Sequence, residues 1–330
     1  MTLEKQKQDK IKAILKFINE HENFLITTHI NSDGDALASV LGCSMFLEKL
    51  AKGYKIILDD QMIDPKYSFL KNWSKIQSYT EDQKEEYLAK VDAALVFDAP
   101  DNKRIGIIYD LINNKIPTTK IDHHPSEFVF GPADWIDSSA SSASAMLYEI
   151  IDNSSIETDQ FISEALYTGI VYDTGRLSFS NTRARDFEIC AALLKNGAIP
   201  HKITNNLFFN NNAAALKVIG NGLQNLEQYE NGKITIIFLS YQDLNGVDQS
   251  EIEELANYSV SLRESEVGVF IREIEPGSFK LSLRSKEYVD VSKVANQFEG
   301  GGHVRASGCR YKGSYSDLVR NLVNEIKIQL

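Results

Sequence analysis

Phe24-Leu25-Ile26-Thr27-Thr28-His29-Ile30-Asn31-Ser32-Asp33-Gly34-Asp35-Ala36 is the stretch from which the fold can be read. Phe24 to Thr28 is an apolar run of strand length, and His29 to Asp35 is a polar loop. Leu37, Val40, Leu41, Met45 and Leu47 then recur at helical spacing, so the loop joins a buried strand to a helix.

Working outward, three more stretches end on acidic or imidazole side chains. Ala94-Leu95-Val96-Phe97 ends on Asp98, and Thr118-Thr119-Lys120-Ile121 ends on Asp122-His123-His124. Ala165 to Tyr172 reads as a buried helix closed by Asp173-Thr174-Gly175. Open α/β sheets gather ligands outside the carboxyl ends of their strands, so these loops are expected to share one cleft.

Carboxylates and imidazoles without cysteine suit hard to borderline divalent ions, which favours Mn²⁺ or Mg²⁺ over structural Zn²⁺. Two such ions about 3.5–4 Å apart activate a water and steady both oxygens of an in-line displacement at phosphorus. Taken singly, each stretch has an ordinary explanation: Asp-Gly before a helix is also a turn and a cap. Independent turns do not assemble this complement, and four of the six histidines are His29, His123, His124 and His303.

Thr28 to Ala36 and Ile121-Asp122-His123-His124-Pro125 resemble the first and third motifs of the DHH phosphoesterases; Asp98 and Tyr172-Asp173-Thr174-Gly175 fit the second and fourth. Glu299-Gly300-Gly301-Gly302-His303-Val304-Arg305-Ala306-Ser307-Gly308 is similar to the glycine-rich signature of the DHH-associated substrate domain. The resemblance implies a first Mn²⁺ on His29, Asp33 and Asp98, and a second on Asp35, Asp98, His123 and Asp173, with Asp98 bridging; Mg²⁺ or Co²⁺ are the substitutes. It also implies that Asp122 orients a neighbouring imidazole and that His124 contacts the scissile phosphate or protonates the leaving oxygen. Many relatives have Asn-Pro-Asp where this chain has Asn31-Ser32-Asp33, and serine is expected to loosen that turn slightly.

A chain of 330 residues is long for one core, and 43% hydrophobic content suffices for two. The expected architecture is an α/β N-terminal domain with a doubly wound, mostly parallel sheet at 1–210, a linker helix at about 211–230, and a smaller α+β domain at 231–330. The active-site cleft is expected between the two domains. In the second domain Ile234 to Leu239 reads as a strand, Ile252 to Val260 contains a helix, and Val267 to Ile274 with Phe279 to Leu283 forms a hairpin turned at Pro276-Gly277. A helix from Val291 to Phe298 runs into the glycine loop.

Three successive glycines, Gly300, Gly301 and Gly302, let backbone amides approach an anion, and His303 and Arg305 add donors, so the loop is expected to act as a lid over the metals, with Gly301, Gly302, His303 and Arg305 binding substrate. Arg272 and Arg284, on the two hairpin strands, are candidate forks for a phosphate, with solvated strand charges as the ordinary alternative. Arg176, Arg183 and Arg185 either serve substrate or pair with nearby carboxylates.

A net charge of -11 argues against a protein that tracks long nucleic acid. Residues 263 to 312 nonetheless hold nine Lys/Arg against seven Asp/Glu, a local basic patch suited to a small anionic substrate. Within the family, processive single-strand exonucleases carry additional nucleic-acid-binding parts, and the membrane-bound cyclic-dinucleotide phosphodiesterases need apolar spans that this sequence lacks. Manganese pyrophosphatases join the same motifs to a different second domain. The stand-alone nano-RNase group remains, whose members remove mononucleotides from short RNA and in some cases dephosphorylate 3′-phosphoadenosine 5′-phosphate. Hydrolysis of linear dinucleotides derived from cyclic signals is the first alternative, then pyrophosphate, then a non-catalytic nucleotide sensor.

Cys43, Cys190 and Cys309 are widely spaced and read as reduced packing residues. Ile11, Ile14, Leu15 and Ile18 make the first twenty residues a docking helix rather than a signal peptide, and a cytoplasmic location is the resulting expectation. Homodimerisation, common among relatives, is also left as an expectation.

Overall fold

A computed structural model describes residues 3–330, which divide at Asn210/Asn211 into two compact units. In the first, strands β1 (Asn23–Thr27), β2 (Gly53–Leu58), β3 (Ile76–Ser78), β4 (Ala93–Phe97), β5 (Thr118–Asp122) and β6 (Trp135–Ile136) form one sheet in the order β3-β2-β1-β4-β5-β6. Every pairing in it is parallel.

Helices cover both faces, as a parallel sheet requires. Phe24, Ile26, Leu95 and Phe97 point into one core with Leu37, Leu41 and Leu166. Leu25, Ala94 and Val96 point into the other with Ile105, Ile108 and Leu111. The N-terminal helix Leu3–Glu20 docks through Ile11, Ile14 and Ile18, all at most 2% exposed. Helices Gly34–Lys49 and Gln160–Asp173 pack so closely that a Cβ on Gly34 would lie 2.4 Å from Tyr172 Cγ.

Strand order reverses between β1 and β4, so the loops that follow these two neighbours diverge and leave a crevice. His29 and Asp33 follow β1, and Asp98 follows β4.

The second unit is built on a mixed sheet in the order β11-β12-β10-β9-β8-β7: β7 (Leu226–Tyr229), β8 (Ile234–Leu239), β9 (Val267–Glu275), β10 (Ser278–Ser285), β11 (Gly301–His303) and β12 (Ala306–Lys312). Helices Val291–Asn296 and Tyr315–Lys327 close one face over Ile236, Val269, Leu281 and Leu283. On the other face, Ala213–Gln224 and Leu255–Ser259 cover Ile237, Leu239 and Phe270.

The helix at 213–224, expected as a linker, thus belongs to the second unit. The glycine run also departs from expectation, since Gly301–His303 is a short strand paired with Ala306–Gly308 rather than an open loop. A Cβ on Gly300 would fall 2.3 Å from the Gly308 carbonyl oxygen, and Gly302, at φ +139°, would meet the Ala306 carbonyl at 2.7 Å. Two of the three glycines are therefore demanded by close strand pairing. No described helix is long and apolar enough to cross a membrane.

Candidate active site

The loop after β1 is fixed from both ends. The Asp33 carboxylate caps helix Gly34–Lys49 by accepting from the Asp35 and Ala36 amides at 3.1 and 3.2 Å. Asp60, just past β2 and 7% exposed, accepts from the Asn31 amide at 2.5 Å, the Ser32 amide at 2.8 Å, and the Ser32 hydroxyl. Ser32 therefore does not loosen the turn; it ties it to the next strand by an amide that proline would not have. Nothing in the local sequence announced Asp60.

Asp98 stands at φ +55°, a left-handed conformation uncommon for a residue with a side chain, and its amide donates to the Ile121 carbonyl at 3.0 Å. That backbone turns its buried carboxylate among three imidazoles. His29 Nε2 lies 3.6 Å from Oδ2, while His123 Nε2 and His124 Nδ1 lie 3.2 and 3.4 Å from Oδ1. Asp33 Oδ1 is 3.9 Å from His29 Nε2, and Asp173 Oδ2 is 3.3 Å from His123 Nε2. All six expected ligands are thus linked through this cluster except Asp35, which joins it through Asp98 and His123.

Two sets of potential ligand atoms, His29/Asp33/Asp98 and Asp35/Asp98/His123, each lie within 4.8 Å of one another, and Asp98 belongs to both. Asp98 Oδ1 and Asp173 Oδ2 are buried without a hydrogen-bond partner despite the neighbouring imidazole, the state of carboxylate oxygens shaped for another ligand. The donors fit divalent cations. His29 Nδ1 lies 2.9 Å from the Ile30 carbonyl, which turns Nε2 towards the Asp33 and Asp98 carboxylates.

The charge state follows. Burial works against protonated His29, but the negative charges of Asp33 and Asp98 beside it outweigh that and raise its pKa to about 10. Burial, with the Asp98 charge added, raises Asp35 to about 7. Asp98 also feels burial, yet His123 and His29 hold it well below the ordinary carboxylate range.

Asp35 has a further role that the motif did not suggest. Its oxygens accept from the Ala143 and Ser144 amides at the start of helix Ala143–Asp152. Gly169 makes room, since a Cβ there would sit 2.5 Å from Asp35 Oδ1. Asp122 is fully buried, and its Oδ1 accepts from His124 Nδ1 at 2.9 Å and from the His124 amide at 3.1 Å. Of the three arginines after the fourth motif, Arg185 turns to Glu149 with contacts of 2.8 and 3.2 Å, and Arg176 lies over the Phe208 ring.

In the second unit, Lys280, Ser282 and Arg284 share one face of β10 and stand beside Arg310, Gly308 and Ala306 of β12. Arg284 is half-buried, with Nη1 on the Leu283 carbonyl at 3.1 Å. Lys280 and Arg310 were not singled out by motif; only the strand register brings them here. Arg272 is 1% exposed rather than a solvated or ready fork: Nη1 donates to the Gln249 carbonyl at 3.1 Å and Nη2 lies 3.5 Å from Glu253. Arg305 is likewise committed within its unit, to the Val289 and Glu287 carbonyls and the Ser285 hydroxyl, because the chain from 285 to 289 crosses its tip.

Two family models match, the DHH family N-terminal domain over residues 23–170 and the DHHA1 domain over 231–329. The chain is a DHH-family phosphoesterase. Its DHH domain carries the cluster of carboxylates and imidazoles that could hold metal ions, and its DHHA1 domain the basic sheet face. A Thermus thermophilus protein named bifunctional oligoribonuclease and PAP phosphatase NrnA is 28% identical over 308 residues, 92% of this chain and 89% of that protein. A Bacillus subtilis protein of the same name is 27% identical over 304 residues, 89% and 91% of the two chains. The crystal structure of an exopolyphosphatase-related protein from Bacteroides fragilis superposes with a TM-score of 0.90 at 22% identity, covering 97% of this chain and 96% of that one, and shares the fold.

Proposed function

We propose that this DHH phosphoesterase hydrolyses very short oligoribonucleotides to mononucleotides and also removes the 3′-phosphate of 3′-phosphoadenosine 5′-phosphate, using two Mn²⁺ ions. The carrying observation is the sharing of Asp98 by two ligand sets, with buried carboxylate oxygens that lack hydrogen-bond partners. In this reading His29, Asp33 and Asp98 hold one ion, and Asp35, Asp98, His123 and Asp173 the other. Divalent ions there supply the Lewis acid that polarises the phosphoryl oxygens and makes a water nucleophilic near neutral pH.

The chain's own groups do the rest. Asp122 keeps Nδ1 of His124 occupied, so the opposite ring edge serves the phosphate ester and passes a proton to the leaving ribose oxygen as the P–O bond breaks. Arg284 and the amides and imidazole of Gly301 to His303 hold the nucleotide. Gly301 supports this: a Cβ there would meet only Asn296 Oδ1, at 3.9 Å, so the fold itself does not demand glycine, whereas close approach of a ligand would. The names of the relatives agree with this substrate class.

The test is Mn²⁺-dependent turnover of a labelled RNA dinucleotide, a five-nucleotide RNA and a long RNA, with 3′-phosphoadenosine 5′-phosphate and pyrophosphate alongside. Rapid cleavage of the short RNAs with the long one spared is expected. Turnover of pyrophosphate alone would overturn the proposal.

A further inference from the structure

Lys120 lies on β5 two residues before Asp122, and it is fully buried. Its ammonium nitrogen donates to the Ala99 carbonyl at 3.2 Å, to Ser126 Oγ at 3.0 Å and to Asp122 Oδ2 at 3.3 Å, and it sits 5.0 Å from the centre of the Phe128 ring. All three N–H groups have acceptors. Those acceptors come from three segments: the chain after Asp98, the chain after His124, and Asp122 itself. Ser126 in turn donates to the Pro100 carbonyl, which closes the link between the two loops.

A methionine or leucine would fill this volume without the cost of desolvating an ammonium, and a buried ion pair is poor evidence of stabilisation. Its better-attested use is to select one arrangement among several. What is selected here is the rotation of the Asp122 carboxylate. One oxygen is claimed by Lys120, so the other faces the ring nitrogen and amide of His124.

We propose that Lys120 is a positioning residue for departure of the leaving group: by holding one oxygen of Asp122, it fixes the His124 ring, with Nδ1–H on the other oxygen, in the orientation from which the imidazolium gives its Nε2 proton to the ester oxygen and is left as the neutral ring. This rests on the reading of His124 as the proton donor. Lys120 touches neither substrate nor the reacting atoms, so its removal affects only reactions in which the leaving oxygen needs that proton.

The experiment compares Lys120→Met with wild type on two substrates, an RNA dinucleotide, whose ribose alkoxide is a poor leaving group, and the p-nitrophenyl ester of thymidine 5′-monophosphate, whose phenolate leaves without protonation. The kcat for the dinucleotide is expected to fall by about tenfold or more, within the range general acid catalysis supplies. The kcat for the p-nitrophenyl ester and both KM values should stay within about threefold. Adding Asp122→Asn to Lys120→Met should cost much less than Asp122→Asn alone, because both act through one ring. Imidazole ¹⁵N spectra of the metal-free protein should show Nδ1 of His124 protonated and hydrogen-bonded in wild type, and that hydrogen bond weakened in the variant.

A parallel fall on both substrates, no fall on either, or unchanged ¹⁵N spectra overturns the role of Lys120. His124→Ala separates this from the underlying reading: if that variant loses both substrates equally, His124 is not the donor, while the ¹⁵N spectra still report whether Lys120 orients the ring. Should Lys120→Met not fold, Lys120→Gln, which keeps a donor but no charge, is read in the same way.

Discussion

Oδ2 of Asp35 accepts the Ala143 amide at 2.6 Å, so a proposed metal ligand is at the same time the anchor of a helix start. Replacing it by alanine strips the Ala143 and Ser144 amides of their acceptor inside the protein. Metal-free Asp35→Ala is expected to speed hydrogen exchange of those two amides, besides losing turnover. Exchange of the Ala143 and Ser144 amides in chelator checks this, and unchanged protection would refute it.

Asp98→Ala tests the shared ligand. Hydrolysis should fall by about 10³-fold or more, and Mn²⁺, expected to raise the melting temperature of wild type by binding the folded state, should no longer do so. Near-normal turnover in this variant would sink the two-ion mechanism.

Metal uptake should tighten as pH rises. In the metal-free chain His29 is raised to about 10, because Asp33 and Asp98 outweigh its burial, and Asp35 is raised to about 7, chiefly by burial. Below about pH 7 an entering ion must displace a proton from each, and each displaced proton steepens apparent affinity by about tenfold per pH unit. Above pH 7 Asp35 is already ionised, and only the His29 proton remains to be released. Calorimetric titration with Mn²⁺ at pH 6 and pH 8, in buffers of different ionisation enthalpy, should show this proton release; an affinity flat across that range would contradict it.

Arg284 and Arg272 should separate cleanly. Arg284→Ala is expected to raise KM for a dinucleotide by about tenfold with kcat within about threefold, the pattern of lost uniform binding. Arg272→Ala empties a buried site and should lower stability by about 2 kcal/mol or more, leaving KM of the folded enzyme little changed. The reverse pattern would return Arg272 to the substrate.

Asp60→Ala should loosen the loop that carries His29 and Asp33. Two amides and a hydroxyl lose one acceptor, and Mn²⁺ affinity is expected to drop by about tenfold while the core stays folded. Equal Mn²⁺ binding by variant and wild type would show that the loop holds itself.

The parallel sheet and the gathering of His29, Asp33, Asp35, Asp98, His123 and Asp173 into one cluster were legible because each follows an apolar run, where a local pattern and a topological rule point to the same place. Residues whose role depends on distant partners were not legible. Asp60, Lys120 and Gly169 carry no local signal; their meaning comes from Ser32, Asp122 and Asp35, brought to them by the fold. The surroundings of Arg272 and Arg305 were not legible for the converse reason. A charged residue on a predicted strand or turn looks available until the chain around it is known: here Arg272 is buried with Nη1 on the Gln249 carbonyl and Glu253 at 3.5 Å, and the segment 285–289 takes donors of Arg305. The strand pairing of the glycine run was not legible for a steric reason, since only the folded neighbours show that Gly300 and Gly302 serve close strand approach.

The helix Ala213–Gln224 lies outside the stretch by which the DHHA1 domain is matched, yet Ala215 and Ile219 roof the same face as Ile237, Leu239 and Phe270. The piece that can be recognised across proteins is therefore smaller than the piece that can stand in water. Grafting 231–329 alone onto another protein would leave part of that greasy face bare, covered only in part by Leu255 and Ala256, whereas a graft beginning at Asn211 would bring the rest of its cover.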